Sequence, residues 1–334
     1  MNGNSVLTEH DREVLAELEA LVRETYQLWD EVWVGFSWRN YTFDHVMRVR
    51  SLARSIGARE GADPRVLEFA ATLHDITKSY DGEILMRDGQ RVLDADGFWI
   101  NQKLPPARQN RVTLLYERLG LAETVHHYSG SQVATALLRD YGYDETFCAA
   151  VREVILAHLK PRPTSTPTAL SLYDADTIDA NIGLPAFYRN IRITIHRLEQ
   201  EYEHRGENIE AFLEHGLLEF LTDYLGKRIP AWIEGKRKDF LERLTTSTGR
   251  MIAAERLARL TEEVTAMTAE LAQPDRALAC GRLAIVRRFI HNRFNPSLTE
   301  EISDLGQHWV REASASAGAR ELLARFEAEI AGVC

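Results

Sequence analysis

Asp63-Pro64-Arg65-Val66-Leu67-Glu68-Phe69-Ala70-Ala71-Thr72-Leu73-His74-Asp75-Ile76-Thr77-Lys78 reads as a helix that ends on two metal-ligand side chains. Asp63 is a helix-start residue, and Pro64 suits the first helical position, where its missing N–H costs nothing. Val66, Ala70 and His74 share one stripe at steps of four, so the histidine falls on the buried face. Consecutive helical residues point about 100° apart, so His74 and Asp75 can share one site only where the helix stops. Thr77-Lys78-Ser79-Tyr80-Asp81-Gly82 predicts that stop.

Two further histidines lie on apolar stripes. His45 precedes Val49, Leu52 and Ile56 at steps of four, three and four, and Val151, Ile155 and His158 follow at four and three. A single histidine on such a stripe is ordinarily a packed core residue. Three of them with an adjacent aspartate predict side chains converging inside a helical bundle, where carboxylate–histidine metal sites are built. Imidazole suits divalent iron, manganese, cobalt, nickel or zinc, and carboxylate favours the harder ions.

The rest of the chain also reads as helix, so the fold class is all-α. Thr8-Glu9-His10-Asp11 resembles a capping box. Asp44 is expected to cap a helix ending near Gly57, and Val133, Leu137 and Leu138 mark one that stops near Gly142. The exception is an insertion over about 80–123. There Glu83-Ile84-Leu85-Met86 and Arg91-Val92-Leu93 flank Asp88-Gly89, a hairpin signal, and a connection of this length is expected to act as a lid. Between Arg250 and Leu271, Leu257, Leu260, Val264, Met267 and Leu271 recur at threes and fours. About two heptads are too few for a coiled coil; the seam reads as a bundle-packing stripe, with a homodimer contact as the alternative.

With 334 residues, 45% hydrophobic and 27% charged, the chain has the composition of an ordinary globular protein. No run reaches the ~18 apolar residues of a membrane span, and Met1-Asn2-Gly3-Asn4 lacks secretory-signal character. Cys148, Cys280 and Cys334 suit neither a disulfide framework nor a thiolate site. A cytoplasmic protein is expected. The net charge of −10 argues against a nucleic-acid polymer as partner, since phosphate neutralisation needs clustered Lys and Arg.

Tyr41-Thr42-Phe43-Asp44-His45-Val46-Met47-Arg48-Val49, then Ala71-Thr72-Leu73-His74-Asp75-Ile76-Thr77-Lys78, then Tyr173-Asp174-Ala175-Asp176-Thr177-Ile178-Asp179-Ala180 resemble the HD-domain superfamily of metal-dependent phosphohydrolases. The segment from Ile182-Gly183 to Arg189 is similar to the Gly-and-Arg tail of small bacterial members. The likeness covers about 35–195. It leaves 1–34 as an N-terminal helix packing on the core and 196–334 as a helical extension.

On the matching positions the resemblance implies His45, His74, Asp75 and Asp176 as metal ligands. Many members carry two more histidines for a second ion. Here these are His158 and His127, the latter preferred over His126 because His127-Tyr128-Ser129-Gly130-Ser131 resembles the family's helix start. One or two ions are implied, with His127 and His158 as substrate-contacting acid/base groups if they do not ligate. Asp75 is then suited to deprotonate a metal-bound water, Lys78 to neutralise a phosphate oxygen, and Arg48 and Arg189 to clamp phosphate. Asp174 and Asp179 are expected to orient the ligating histidines.

The expected activity is hydrolysis of a small phosphorylated metabolite or nucleotide. A di-iron oxygenase cleaving a carbon bond uses the same ligand set and is the first rival. A non-catalytic nucleotide-sensing module is the second. Asp174-Ala175-Asp176 does not continue as a calcium loop, because Asp179 and Gly183 come too late. His196, His204, His215, His291 and His308 show no ligand spacing.

Overall fold

The computed structural model describes residues 6–34, 37–95, 97–122, 124–292, 294, 297–309 and 315–333. Met1–Asn4, Glu123, Cys334 and the His308 side chain lie outside them. The chain divides into two compact units, Met1–Asp176 and Thr177–Cys334.

The first unit holds helices α1 (Glu9–Tyr26), α2 (Arg39–Glu60), α3 (Pro64–Leu73), α4 (Arg111–Arg118), α5 (His126–Asp140) and α6 (Glu145–Ala157), and most of α7 (Pro167–Asn181). The strands form antiparallel pairs: β1 (Trp33–Val34) with β2 (Ser37–Trp38), β3 (Asp81–Ile84) with β6 (Asn101–Lys103), and β4 (Met86–Arg87) with β5 (Gln90–Arg91). The all-α expectation therefore holds, with short two-stranded pairs added to it.

Thr8 does cap α1: its hydroxyl accepts from the Asp11 N–H, and the Asp11 carboxylate accepts from the Thr8 N–H. That carboxylate also accepts two hydrogen bonds from Arg65 of α3 and one from the Tyr143 hydroxyl. Burial pushes the Asp11 pKa up, but these bonds outweigh it and hold the group far below the usual carboxylate range. A depressed folded-state pKa gives stability that is complete above about pH 5 and is lost progressively as pH falls from about 4 toward the lower folded-state value. Asp11→Ala is expected to cost about 3 kcal/mol at pH 7, because it leaves a buried network broken. Urea midpoints should show that cost shrinking between about pH 5 and 3; a pH-independent difference would contradict the latch.

In α2 the structure corrects the sequence reading. Asp44 lies inside the helix, which starts after Trp38 and runs past Gly57 to a left-handed Gly61, φ 75°. Gly57 is small because α3 packs on it: a Cβ there would come within 2.5 Å of Leu67. In the insertion the turn residues behave as expected. Asp88 (φ 52°) and Gly89 (φ 75°) are both left-handed, as a two-residue hairpin turn requires. The hairpin's arms are joined by Val92 N–H to Leu85 O and tied to the following segment by Leu85 N–H to Ile100 O and Ile100 N–H to Val92 O. An ordered ribbon results.

The second unit is helical: α8 (Leu184–His204), α9 (Glu210–His215), α10 (Leu217–Asp223), α11 (Ile229–Asp239), α12 (Ser247–Glu270), α13 (Pro274–Cys280), α14 (Arg282–His291), α15 (Leu298–Asp304) and α16 (Ala317–Ile330). Leu257, Leu260, Val264 and Met267 of α12 are buried within the chain, as the bundle-packing reading of that seam requires. Among the described residues no helix is long and apolar enough to cross a membrane.

Candidate metal centre

Helix α3 stops at Leu73, and His74 is its C-cap. The chain then turns through Asp75–Thr77 into a single 3-10 turn, Lys78–Tyr80. Two helices hold this turn by its backbone, and one of its own side chains reaches a third. The Tyr26 hydroxyl of α1 donates to Asp75 O at 2.9 Å, and Arg39 of α2 donates to Ser79 O at 2.8 Å. From within the turn, the Thr77 hydroxyl donates to His126 O at the start of α5. The α5 backbone comes close because residue 130 is glycine: a Cβ there would lie 3.2 Å from His74 O.

Two triads of ligand groups result, each with its ligand atoms within 4.8 Å of one another. The first is His45, His74 and Asp176; the second is Asp75, His126 and His158. His45 Nε2 lies 3.0 Å from Asp176 Oδ1. Asp75 stands between the triads. Its Oδ2 is 3.6 Å from His74 Nε2 and 3.8 Å from His45 Nε2. Its Oδ1 is 3.6 Å from His126 Nε2 and 3.7 Å from His158 Nε2.

The imidazoles are set in one tautomer by partners that can only accept. His74 Nδ1 donates to Ala71 O at 2.8 Å, His158 Nδ1 to Ile155 O at 2.6 Å, and His126 Nδ1 to the Asp81 carboxylate at 2.8 Å. Each neutral ring therefore turns an Nε2 lone pair toward the centre, the arrangement that metal-binding histidines use. Burial, reinforced by His74, lowers the His158 pKa to about 3; burial likewise lowers that of His74. Burial works against ionisation of Asp176, but the hydrogen bond and charge of His45 bring its pKa down to about 2. Asp75 is pushed up by burial and held well below the carboxylate range by Lys78 first and by His74, His126 and His158 after it.

His74 Nε2, Asp75 Oδ1 and His126 Nε2 are buried and make no hydrogen bond. Leaving such atoms unsatisfied costs about 1–3 kcal/mol each. Unprotonated imidazoles and ionised carboxylates are the donor set of a divalent transition ion, so these residues fit one.

The remaining sequence candidates fall in several places. The structure brings His126, not the preferred His127, into the second triad. His126 shares the inward stripe of α5 with Gly130, Val133 and Leu137, all buried. The His127 ring instead lies 4.7 Å from Phe98 of the insertion and 6.3 Å from His158. Lys78 is paired to Asp75 Oδ2 at 2.6 Å. Arg48 is 1% exposed with its guanidinium 4.7 Å over Tyr41, so a phosphate reaching it must enter the buried core. Arg189 belongs to the second unit, where it donates to Ala180 O near the C-terminal end of α7. Asp174 and Asp179 are buried; the acceptors of the His74, His126 and His158 rings are Ala71 O, the Asp81 carboxylate and Ile155 O.

Asp81 was not legible as a site residue. It opens β3 directly opposite Lys103 of β6. Lys103 Nζ sits 2.6 Å from Asp81 Oδ1 while Oδ2 takes the His126 N–H. The insertion is thus tied to the candidate centre by a Lys103–Asp81–His126 chain.

Residues 42–181 match the family model of the HD domain. Among solved structures, a predicted HD superfamily hydrolase from an uncultured Thermotogales bacterium is 22% identical, with TM-score 0.40, over 76% of this chain and 91% of that one. Bacillus subtilis YpgQ is 18% identical, with TM-score 0.36, over 79% and 97%. YpgQ in complex with ADP gives 17%, 0.37, 78% and 96%. No curated protein sequence matches the chain.

Proposed function

With residues 42–181 forming an HD domain, we propose that the chain is a metal-dependent phosphohydrolase cleaving a phosphate ester of a small metabolite or nucleotide. The observation that carries the reading is the buried Asp75 carboxylate, one oxygen facing each triad. One or two divalent ions (Mn, Fe, Co, Ni or Zn) held there would acidify a bound water and polarise the phosphoryl oxygen.

In this reading His45, His74 and Asp176 would hold one ion, and Asp75, His126 and His158 a second. Asp75 orients the attacking water and accepts its proton. The Lys78 ammonium stays charged, since the Asp75 carboxylate outweighs burial and raises its pKa. Side-chain exposure of 15% leaves it able to meet a non-bridging phosphate oxygen beside Asp75. His74 and His158, already neutral near pH 7, give up no proton on binding an ion. Their backbone acceptors keep the rings from turning away.

The test is elemental analysis of the full chain beside His74→Ala and His158→Ala, with phosphate release measured over nucleotides and sugar phosphates. About two equivalents of metal are expected, as in two-ion centres, with a loss in both variants and phosphate release that follows metal content. Iron with substrate-dependent oxygen uptake and no phosphate release would replace this reading with carbon-bond oxygenation. No metal after reconstitution would sink both. Biological activity unchanged in a metal-free variant would favour the nucleotide-sensing module.

A further inference from the structure

The insertion carries a cavity of about 240 Å³ beside the candidate centre, and Asp81 belongs to both. Pockets for whole drug-sized ligands run to ~300–1,000 Å³, so this one has room for a single ring system. Trp99 and Tyr128 border it and are 42% and 47% exposed. Large aromatic rings left this open around a concavity are stacking surfaces in waiting. Trp99 is already fixed, by its bridge to Leu93 and by the Arg91 guanidinium 5.1 Å from its ring. His127, on the opposite segment, is braced by Phe98. Preset walls cost little entropy to occupy.

The polar lining selects the ligand. Asp81 and Asp94 bring two carboxylates, and Lys103, the lining cation, is in an ion pair with Asp81. A phosphate is therefore disfavoured inside. The Asn101 amide, the Lys103 ammonium and the Thr124 hydroxyl already donate within the protein, to Gly82 O, Asp81 and Leu121 O respectively. The Thr124 hydroxyl can still accept, as can the Asp94 carboxylate, one oxygen of which already takes the Phe98 N–H.

We propose that this cavity is a specificity subsite for the organic part of the substrate, a flat ring bearing an exocyclic amino group. The ring stacks at Trp99, its amino group donates toward Asp94 and Thr124, and the phosphate stays outside on the Asp75 side. Only the position of the phosphate rests on the phosphohydrolase reading.

Calorimetric titration of the full chain with adenosine, cytidine and uridine, which carry no phosphate, tests the subsite. Adenosine and cytidine are expected to bind saturably, and uridine, with a carbonyl in place of the amino group, at least about tenfold more weakly. Trp99→Ala should weaken adenosine binding about tenfold or more, the worth of one base–aromatic stack, while Trp99→Phe retains most of it. Adding EDTA should leave adenosine affinity unchanged. Equal affinity for uridine, no effect of Trp99→Ala, or no saturable binding of either amino nucleoside would overturn the proposal. Nucleoside binding without phosphate release from any ester would leave the subsite standing and remove the phosphohydrolase reading; the converse result would do the opposite.

Discussion

Asp75→Asn is expected to lower phosphate-release kcat by about 10²–10⁴-fold, the range that a positioned general base contributes, and to bring metal content below one equivalent. The carboxamide has nearly the same volume, so packing of the buried turn survives. What changes is charge and donor sense. Asp75 Oδ1 lies 3.6 and 3.7 Å from two imidazole Nε2 atoms, and Oδ2 lies 3.6 and 3.8 Å from two more. An amide nitrogen on either side presents N–H groups to lone pairs that now face an anion. The variant also removes the partner of Lys78, 2.6 Å away. Far-UV circular dichroism should be unchanged, while elemental analysis and turnover both collapse. Full metal occupancy with turnover lost would reduce Asp75 to the proton acceptor alone. Unchanged turnover would refute its role altogether.

The sequence made the first triad and two members of the second, Asp75 and His158, visible because those side chains sit where periodicity and breaker signals agree. Val66, Ala70 and His74 form a stripe, and Thr77 through Gly82 end the helix; the structure ends α3 at Leu73. His158 was visible in the same way, as the last step of an apolar stripe on α6. His126 was misread because adjacent histidines at a helix start differ by only one residue in register. The deciding stripe, His126, Gly130, Val133 and Leu137, passes through a glycine whose value is its lack of a Cβ against His74 O. Asp44 looked like a cap, but tertiary packing carried α2 through it and through Gly57. Asp81 had no local signal. Its function depends on pairing with a strand about twenty residues away, and strand register across an irregular insertion is not written in any short pattern.

That dependence makes Asp81 the sharper test of the insertion. Asp81→Ala is expected to weaken metal binding at the Asp75–His126–His158 triad by about 10–100-fold, the usual cost of removing the acceptor behind a ligating histidine. The first triad should keep its affinity, because His74 takes its orienting bond from Ala71 O and the Asp81 carboxylate bonds to Lys103 and His126, neither of them in that triad. Competition with a chromophoric chelator, resolving a tight and a weak site, measures both. Lys103→Ala should have a smaller effect: Asp81 then still accepts the His126 N–H and loses only the ammonium on its other oxygen. A graded loss at one site, larger for Asp81 than for Lys103, follows if the ribbon acts through the His126 ring. Equal loss at both sites would mean that the insertion merely supports the fold. No loss at either would mean that backbone contacts alone hold His126 in place.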